Sequence, residues 1–317
     1  MRETMHETMR RTLRRTVSGT ASLPLQLPML PPADAPRTAF VLAGGGSHGA
    51  SQVGMLQALA DADVIPSLVV GTSVGAVNGA AFAADPTRHG VARLAAIWRG
   101  LGRRDVYPLS IGGVARGLFG SAGHLVGQSG LRQLIRAAQL PPLLEQMRVT
   151  LAVIAADVRD GREVVLRDGP SEECIVASAA IPGLFPPVRL GERTLVDGAV
   201  ANNTPIATAI ALGARRVIVL PTGFSCSIPR PPQHPIALAL HIVSLLLARQ
   251  LASEASRLSD QAEIVIVPPP CPMPVSSYDF GRSAELIDRA AESTRDWLAR
   301  GGLGDTSIPM TLAPHTH

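Results

Sequence analysis

A chain of 317 residues with 46% hydrophobic and 17% charged residues can bury one sizeable core, which excludes wholesale disorder. Its formal net charge of +4 comes from arginines scattered along the chain, with no lysine and no basic stripe interleaved with aromatics, so no nucleic-acid partner is expected. No run of about 18 apolar residues is present, so no spanning helix is expected, and three distant cysteines (Cys174, Cys226, Cys271) match neither a metal site nor a redox pair and predict a reducing, cytoplasmic compartment without a disulfide framework.

Residues 1–36 carry Arg2, Arg10, Arg11, Arg14 and Arg15 and end in a proline-rich run. Their Arg and Thr content resembles a transit peptide, with a disordered leader or a mis-assigned start as the other readings, and no fold is assigned to them. Residues 38–43 form an apolar run stopped by glycines, which predicts a buried strand. Residues 50–60 carry Val53, Leu56 and Leu59 at helical spacing, 65–70 predict a second buried strand, and 75–84 a helix of small residues. Strand, helix, strand, helix with short joins predicts a parallel sheet covered on both faces. The glycine-rich stretch 112–130 reads as a long, lid-like loop.

Further along, 149–156 and 163–166 predict strands around the Asp160-Gly161 hairpin signal. Residues 193–196 predict a short strand leading into Asp197-Gly198. Thr204-Pro205 predicts a helix start as N-cap and first helical residue, with Gly213 closing that helix. Residues 216–220 and 264–267 predict strands, and 283–300 a terminal helix. Residues 236–247 are apolar but contain His241 and Ser244; they read first as a buried helix and second as one that docks on a membrane. The fold is expected over 37–300, as a single catalytic domain followed by a flexible tail at 301–317.

Two glycine motifs carry the chemistry. Gly71-Thr72-Ser73-Val74-Gly75 stands between a predicted strand and a predicted helix, where a serine's Oγ is held exposed above the sheet. Gly44-Gly45-Gly46-Ser47-His48-Gly49 follows the first strand and can turn several backbone N–H groups toward one point. Gly44, Gly46 and Gly49 also satisfy a dinucleotide-binding pattern. That reading needs an acid after the next strand, but Asp61 and Asp63 precede it and Ser73 holds the position.

A nucleophilic serine needs a base. In an α/β-hydrolase the histidine follows the acid, which leaves His234 and His241, and several strands precede the nucleophile. His241 lies in an apolar helical pattern and only one strand precedes Ser73, so that reading fails on both counts. Asp197-Gly198-Ala199, at a strand end before a helix, reads on its own as a turn and draws interest only because the serine needs a base.

In the order Gly44–Gly49, Gly71–Gly75, Asp197–Ala199, the chain resembles the patatin-like phospholipase family. The stretch 177–187 (ASAAIPGLFPP) and Tyr278-Asp279-Phe280 add to the likeness, which covers about residues 38–300. The resemblance implies a three-layer α/β/α fold with a mainly parallel central sheet and a Ser–Asp dyad that uses neither cofactor nor metal. It makes Ser73 the nucleophile, Asp197 the base and the amides of Gly44, Gly45 and Gly46 the oxyanion hole, flanked by His48, Gly49, Gly71, Gly75 and Gly198. It further implies a lipid ester substrate, with peripheral membrane contact as an extension of it. His48 stands where the family usually carries Arg or Lys; it either makes activity pH-dependent near neutrality or hydrogen-bonds the loop. A catalytically silent regulatory protein on the same fold is the alternative function.

Overall fold

The chain enters its sheet at β1 (Thr38–Leu42), whose apolar run pairs in parallel with β2 (Leu68–Thr72) on one side and β7 (Arg216–Leu220) on the other. In this computed structural model, residues 37–106, 125–222, 235–271 and 279–312 are described. The leader at 1–36, residues 112–124 of the lid-like stretch, Cys226, His234, Tyr278 and the end of the tail lie outside them.

The strand order is β5-β6-β3-β2-β1-β7-β8, with β4 paired to β3 off this path. Here β3 is Thr150–Asp157, β4 Glu163–Leu166, β5 Val188–Leu190, β6 Arg193–Asp197 and β8 Glu263–Ile266. The pairs from β3 through β2, β1 and β7 to β8 are parallel, whereas β3–β4, β3–β6 and β5–β6 are antiparallel. The sheet is therefore mixed and mainly parallel, as expected.

Alternation along the strands divides the core into two layers. Phe40, Leu42, Val69 and Leu151 face α1 (Gly49–Asp61), α2 (Val74–Ala84), α3 (Arg88–Gly100) and α8 (Ser283–Ala299). Ala39, Val41, Val70 and Ile154 face α6 (Ile206–Ala211) and α7 (Pro235–Leu258). Central strands buried on both faces have no polar side to show, which is why they read as continuous apolar runs.

Several expected bounds shift for local reasons. The second strand begins at Leu68 and not at residue 65, because Asp63 turns the chain at φ 55° and Pro66 has no N–H for the ladder. Thr204 does not cap α6: Pro205 stands before the helix at ψ 60°, and the Thr204 carbonyl accepts from the Ile206 amide. Gly213, at φ +96°, ends that segment as expected. The apolar helix at 236–247 is the first half of a 24-residue helix, α7. Sequence reading missed α3, α4 (Ser129–Ala137), α5 (Ser171–Ser178) and β5. Among the described residues no helix is long and apolar enough to cross a membrane. Cys174 is a buried free thiol, and Cys271 is disulfide-bonded, contrary to the expectation of no disulfide framework.

Candidate active site

Parallel strands bring their carboxyl ends to one edge of the sheet, and ligands in such folds bind beyond that edge. The glycine loop leaves β1 there, Ser73 leaves β2, and Pro221-Thr222 leave β7. Asp197 arrives on β6, which runs against β3. Thr72 pairs with Ile154 and Asp197 with Ala155, so the register sets Asp197 level with Ser73 across the strand between them.

Ser73 has φ 55° and ψ −124°, a conformation that costs a non-glycine residue about 1–3 kcal/mol and persists only where its surroundings impose it. They do so here. The Ser73 amide donates to Ser178 Oγ at 2.9 Å, Ser178 in turn donates to the Ile154 carbonyl, and the Ser73 carbonyl accepts from the amides of Ala76 (2.9 Å) and Val77 (3.2 Å). A side chain at Gly75 would overlap the Leu42 carbonyl, and one at Gly71 would overlap the Gly75 backbone. The two motif glycines therefore let strand, turn and helix close on one another.

Ser73 Oγ donates to Asp197 Oδ2 at 2.6 Å, with Ser73 7% and Asp197 3% exposed. The other carboxylate oxygen, Oδ1, accepts from the Ala199 amide at 2.8 Å, and the Asp197 amide donates to the Ala180 carbonyl at 2.9 Å. Burial pushes the Asp197 carboxyl up to about 6, against the opposing pull of the hydrogen bonds from Ser73 and Ala199. At neutral pH it is an ionised carboxylate of raised basicity touching a serine hydroxyl.

The glycine loop has a more specific arrangement than its sequence suggests. The Gly44 amide donates to the Asn203 carbonyl at 3.1 Å, so that N–H, expected to face an oxyanion, is engaged within the protein. The Gly44 carbonyl accepts from Thr222 Oγ1 and, at 3.5 Å, from Asn203 Nδ2. In a trans peptide the next N–H points the opposite way, so these bonds aim the Gly45 amide away from Thr222 and Asn203. Gly46 lies at φ +59°, in the left-handed region, and a Cβ at Gly45 would fall on the Thr222 side chain. His48 is buried in the short 3-10 turn Gly46–His48, and a Cβ at Gly49 would overlap Val74. Gly198 packs against the Ile154 carbonyl under Asp197.

A cavity of about 310 Å³ opens over these groups. Gly44, Gly45, Gly46, His48, Ser73 and Asp197 form its polar floor, and apolar side chains from 181–182, 199–200 and α7 form its walls. Asn203 Oδ1, buried beside Gly44, has no hydrogen-bond partner among the described residues. Among the described residues no group of three or more His, Cys, Asp or Glu is placed to hold a metal. Ser178, Thr222 and Asn203 were not singled out from sequence. Only Ser178 carried a signal, as part of the 177–187 stretch.

Residues 40–210 match the model of the patatin-like phospholipase family. An uncharacterized NTE family protein of Mycobacterium tuberculosis is 31% identical over 193 residues, covering 58% of this chain and 31% of that protein. Patatin-like phospholipase domain-containing protein 7 of Mus musculus is 30% identical over 189 residues, covering 58% of this chain and 13% of that protein. The matched region thus spans about a third or less of these relatives. Among solved structures, VipD from Legionella pneumophila aligns with a TM-score of 0.45 and 14% identity over 85% of this chain and 67% of that one. The chain belongs to the patatin-like phospholipase family.

Proposed function

We propose that this member of the patatin-like phospholipase family is a serine acyl hydrolase that cleaves carboxylic ester bonds of phospholipids or related lipids. The observation that carries the reading is the 2.6 Å hydrogen bond from Ser73 Oγ to the buried Asp197 carboxylate, set in an apolar-walled cavity. Ser73 Oγ attacks the ester carbonyl carbon as its proton passes to Asp197, and the carbonyl π electrons move onto oxygen. The amides of Gly45 and Gly46 receive that oxyanion. Collapse breaks the bond to the alcohol, which takes the proton back from Asp197. Water then attacks the acyl-serine with the same base and releases the carboxylic acid.

Apolar cavity walls suit an acyl chain, and the outer surface of α7 suits contact with lipid. Leu238, Ile242, Val243 and Leu246 are exposed along the first half of the helix, Ile242 by 48% and Leu246 by 57%, while Val243 also lines the cavity. Arg249 and Arg257 are exposed on the second half. A helix that is apolar outside at one end and cationic at the other fits peripheral attachment at a membrane surface, beside the cavity.

The test is labelling with a fluorophosphonate, together with hydrolysis of short- and long-chain esters, by wild type, Ser73→Ala and Asp197→Asn. Wild type labels and turns over, whereas Ser73→Ala does neither. Labelling that persists in Ser73→Ala, or hydrolysis untouched by both changes, removes the dyad. Labelling of wild type without turnover of any ester selects the regulatory alternative.

A further inference from the structure

We propose that Trp98, Asn78 and Gln52 form a buried positioning chain that sets the shape of the Gly44–Gly49 loop and, through it, the rate of acyl transfer; this rests on the acyl-hydrolase reading above. All three side chains are fully buried, and each belongs to a different helix. Trp98 Nε1, on α3, donates to Asn78 Oδ1 at 2.8 Å. Asn78, on the helix that Ser73 leads, donates through Nδ2 to Gln52 Oε1 at 3.0 Å and to the Gly49 carbonyl at 2.9 Å. Gln52, in the first turns of α1, donates through Nε2 to the Ala43 carbonyl at 2.8 Å and the Leu220 carbonyl at 2.9 Å.

The direction of this chain is fixed by chemistry. An indole N–H can only donate. The Asn78 oxygen must therefore face Trp98, which turns its NH2 group toward Gln52 and Gly49. The Gln52 oxygen must then face Asn78, and its NH2 group is left for two carbonyls. Both amides use their oxygen and both N–H donors, and reversing either would set like groups against each other.

The two ends of the glycine loop are what the chain grips. Ala43 precedes the first glycine and Gly49 is the last. The Ala43–Gly44 peptide is held on both sides, its carbonyl by Gln52 and its N–H by the Asn203 carbonyl. The next peptide is held at the Gly44 carbonyl by Thr222 and Asn203, and it carries the Gly45 amide. An error in the first peptide plane passes directly to the amide meant for the oxyanion. Oxyanion donors act through their placement at the transition state, so loosening the loop lowers kcat and leaves substrate affinity largely alone. A purely structural role for these residues, as buried polar groups that hold helices together, predicts loss of folded protein with normal turnover in what remains.

The test uses the full chain with Trp98→Phe, Asn78→Leu, Gln52→Leu and the double variant Trp98→Phe/Asn78→Leu. Trp98→Phe keeps an aromatic ring to stack on Phe280 and removes the N–H donor together with the pyrrole part of the indole, and the double variant separates the lost donor from the lost volume. Active sites are counted by fluorophosphonate titration. Then kcat and KM for a p-nitrophenyl ester, and inhibition by a trifluoromethyl ketone of the same acyl chain, are measured per site. A roughly threefold to tenfold fall in kcat is expected for Trp98→Phe and about a hundredfold fall for Gln52→Leu, with KM within about twofold. Ketone affinity should fall in step with kcat/KM, because the bound ketone adduct carries the oxyanion. Removing the Trp98 donor should cost nothing further once Asn78 is Leu. Wild-type kcat per site in Trp98→Phe, or unchanged ketone affinity across the folded variants, overturns the proposal. If Gln52→Leu or Asn78→Leu does not fold, Trp98→Phe alone decides it. Hydrolysis that survives Ser73→Ala overturns both this proposal and the reading beneath it, whereas a Ser73-dependent enzyme indifferent to Trp98→Phe overturns this one only.

Discussion

Asp197→Asn should inactivate the protein and at the same time make it more stable at neutral pH. The carboxyl sits at about 6 in the fold against an ordinary 3.8, with burial as the dominant cause. At 1.36 kcal/mol for each pH unit, the ionised group costs the folded state on the order of 3 kcal/mol. The hydrogen bonds from Ser73 and Ala199 are already contained in that net value. The sign follows from proton counting. Between pH 3.8 and about 6 the folded chain holds a proton that the unfolded chain has released, so stability falls as pH rises through this window. Below it the group is neutral in both states and the cost vanishes; above it the cost is constant. An uncharged amide of the same shape escapes the cost. Urea unfolding of wild type and Asp197→Asn from pH 4 to 8 should therefore give curves that nearly coincide at pH 4. They should separate through pH 5 and 6, with the variant more stable by about 1–3 kcal/mol at pH 8. In the proposed mechanism the same group sets the rate: kcat/KM of wild type should rise with pH and level off above about 6, since only the ionised carboxylate takes the Ser73 proton. A stability difference that is flat with pH, or a variant less stable than wild type at pH 8, would refute the buried-carboxylate argument.

Gly45→Ala places a methyl group on the Thr222 side chain and should lower kcat by about 10²–10³ in ester hydrolysis, with a much smaller change in KM. Ser178→Ala leaves the buried Ser73 amide without its acceptor and should cost about 1–3 kcal/mol in urea unfolding, together with a lower kcat. Wild-type values for either variant would show that the loop, or the elbow, is held by something else. Ile242→Asp combined with Leu246→Asp should lower hydrolysis of anionic phospholipid vesicles by more than tenfold relative to hydrolysis of a soluble short-chain ester. An unchanged ratio would place the lipid contact elsewhere.

The sheet was legible where burial on both faces leaves a continuous apolar run, as in β1 and β7, and less so where the run and the strand part company. Ile65 is apolar but 45% exposed, because Pro66 keeps that stretch out of the ladder. β5 has three residues, too short for any period to show. α3 is a different case. Val91, Leu94, Ala95 and Trp98 are buried at helical spacing, so its signal was present and was overlooked. The outer face of α7 turns from apolar to cationic halfway along its length, which a single test of amphipathicity averages away.

The site divides along the same line between local and long-range chemistry. Ser73 and the glycines beside it were legible because a sharp strand-to-helix turn needs small residues at fixed offsets. Ser178, Asn203 and Thr222 were not, since each is a common small polar residue whose partner lies 105, 159 or 178 positions away. The hydrogen bond of the Gly44 amide was hidden for a related reason. A run of glycines says that several amides can converge, but only the Asn203 carbonyl, which takes one of them, decides which remain for a ligand.

Asp197 is the most instructive case, because its identity was legible and its position was not. Nothing in a spacing of 124 residues brings it to Ser73. That depends on β6 running against the otherwise parallel part of the sheet. The Val158 amide, just past β3, bonds the Thr194 carbonyl, so β6 enters from beyond the carboxyl edge. It runs inward along β3 and stops at Asp197, opposite Ala155. There Gly198 fits against the Ile154 carbonyl and the chain turns away as a 3-10 helix, with its Ala199 amide on the carboxylate it has just delivered. One more residue of strand would carry the carboxyl to the opposite face of the sheet. The strand's end, more than its presence, is what sets the Asp197 carboxylate against the Ser73 hydroxyl.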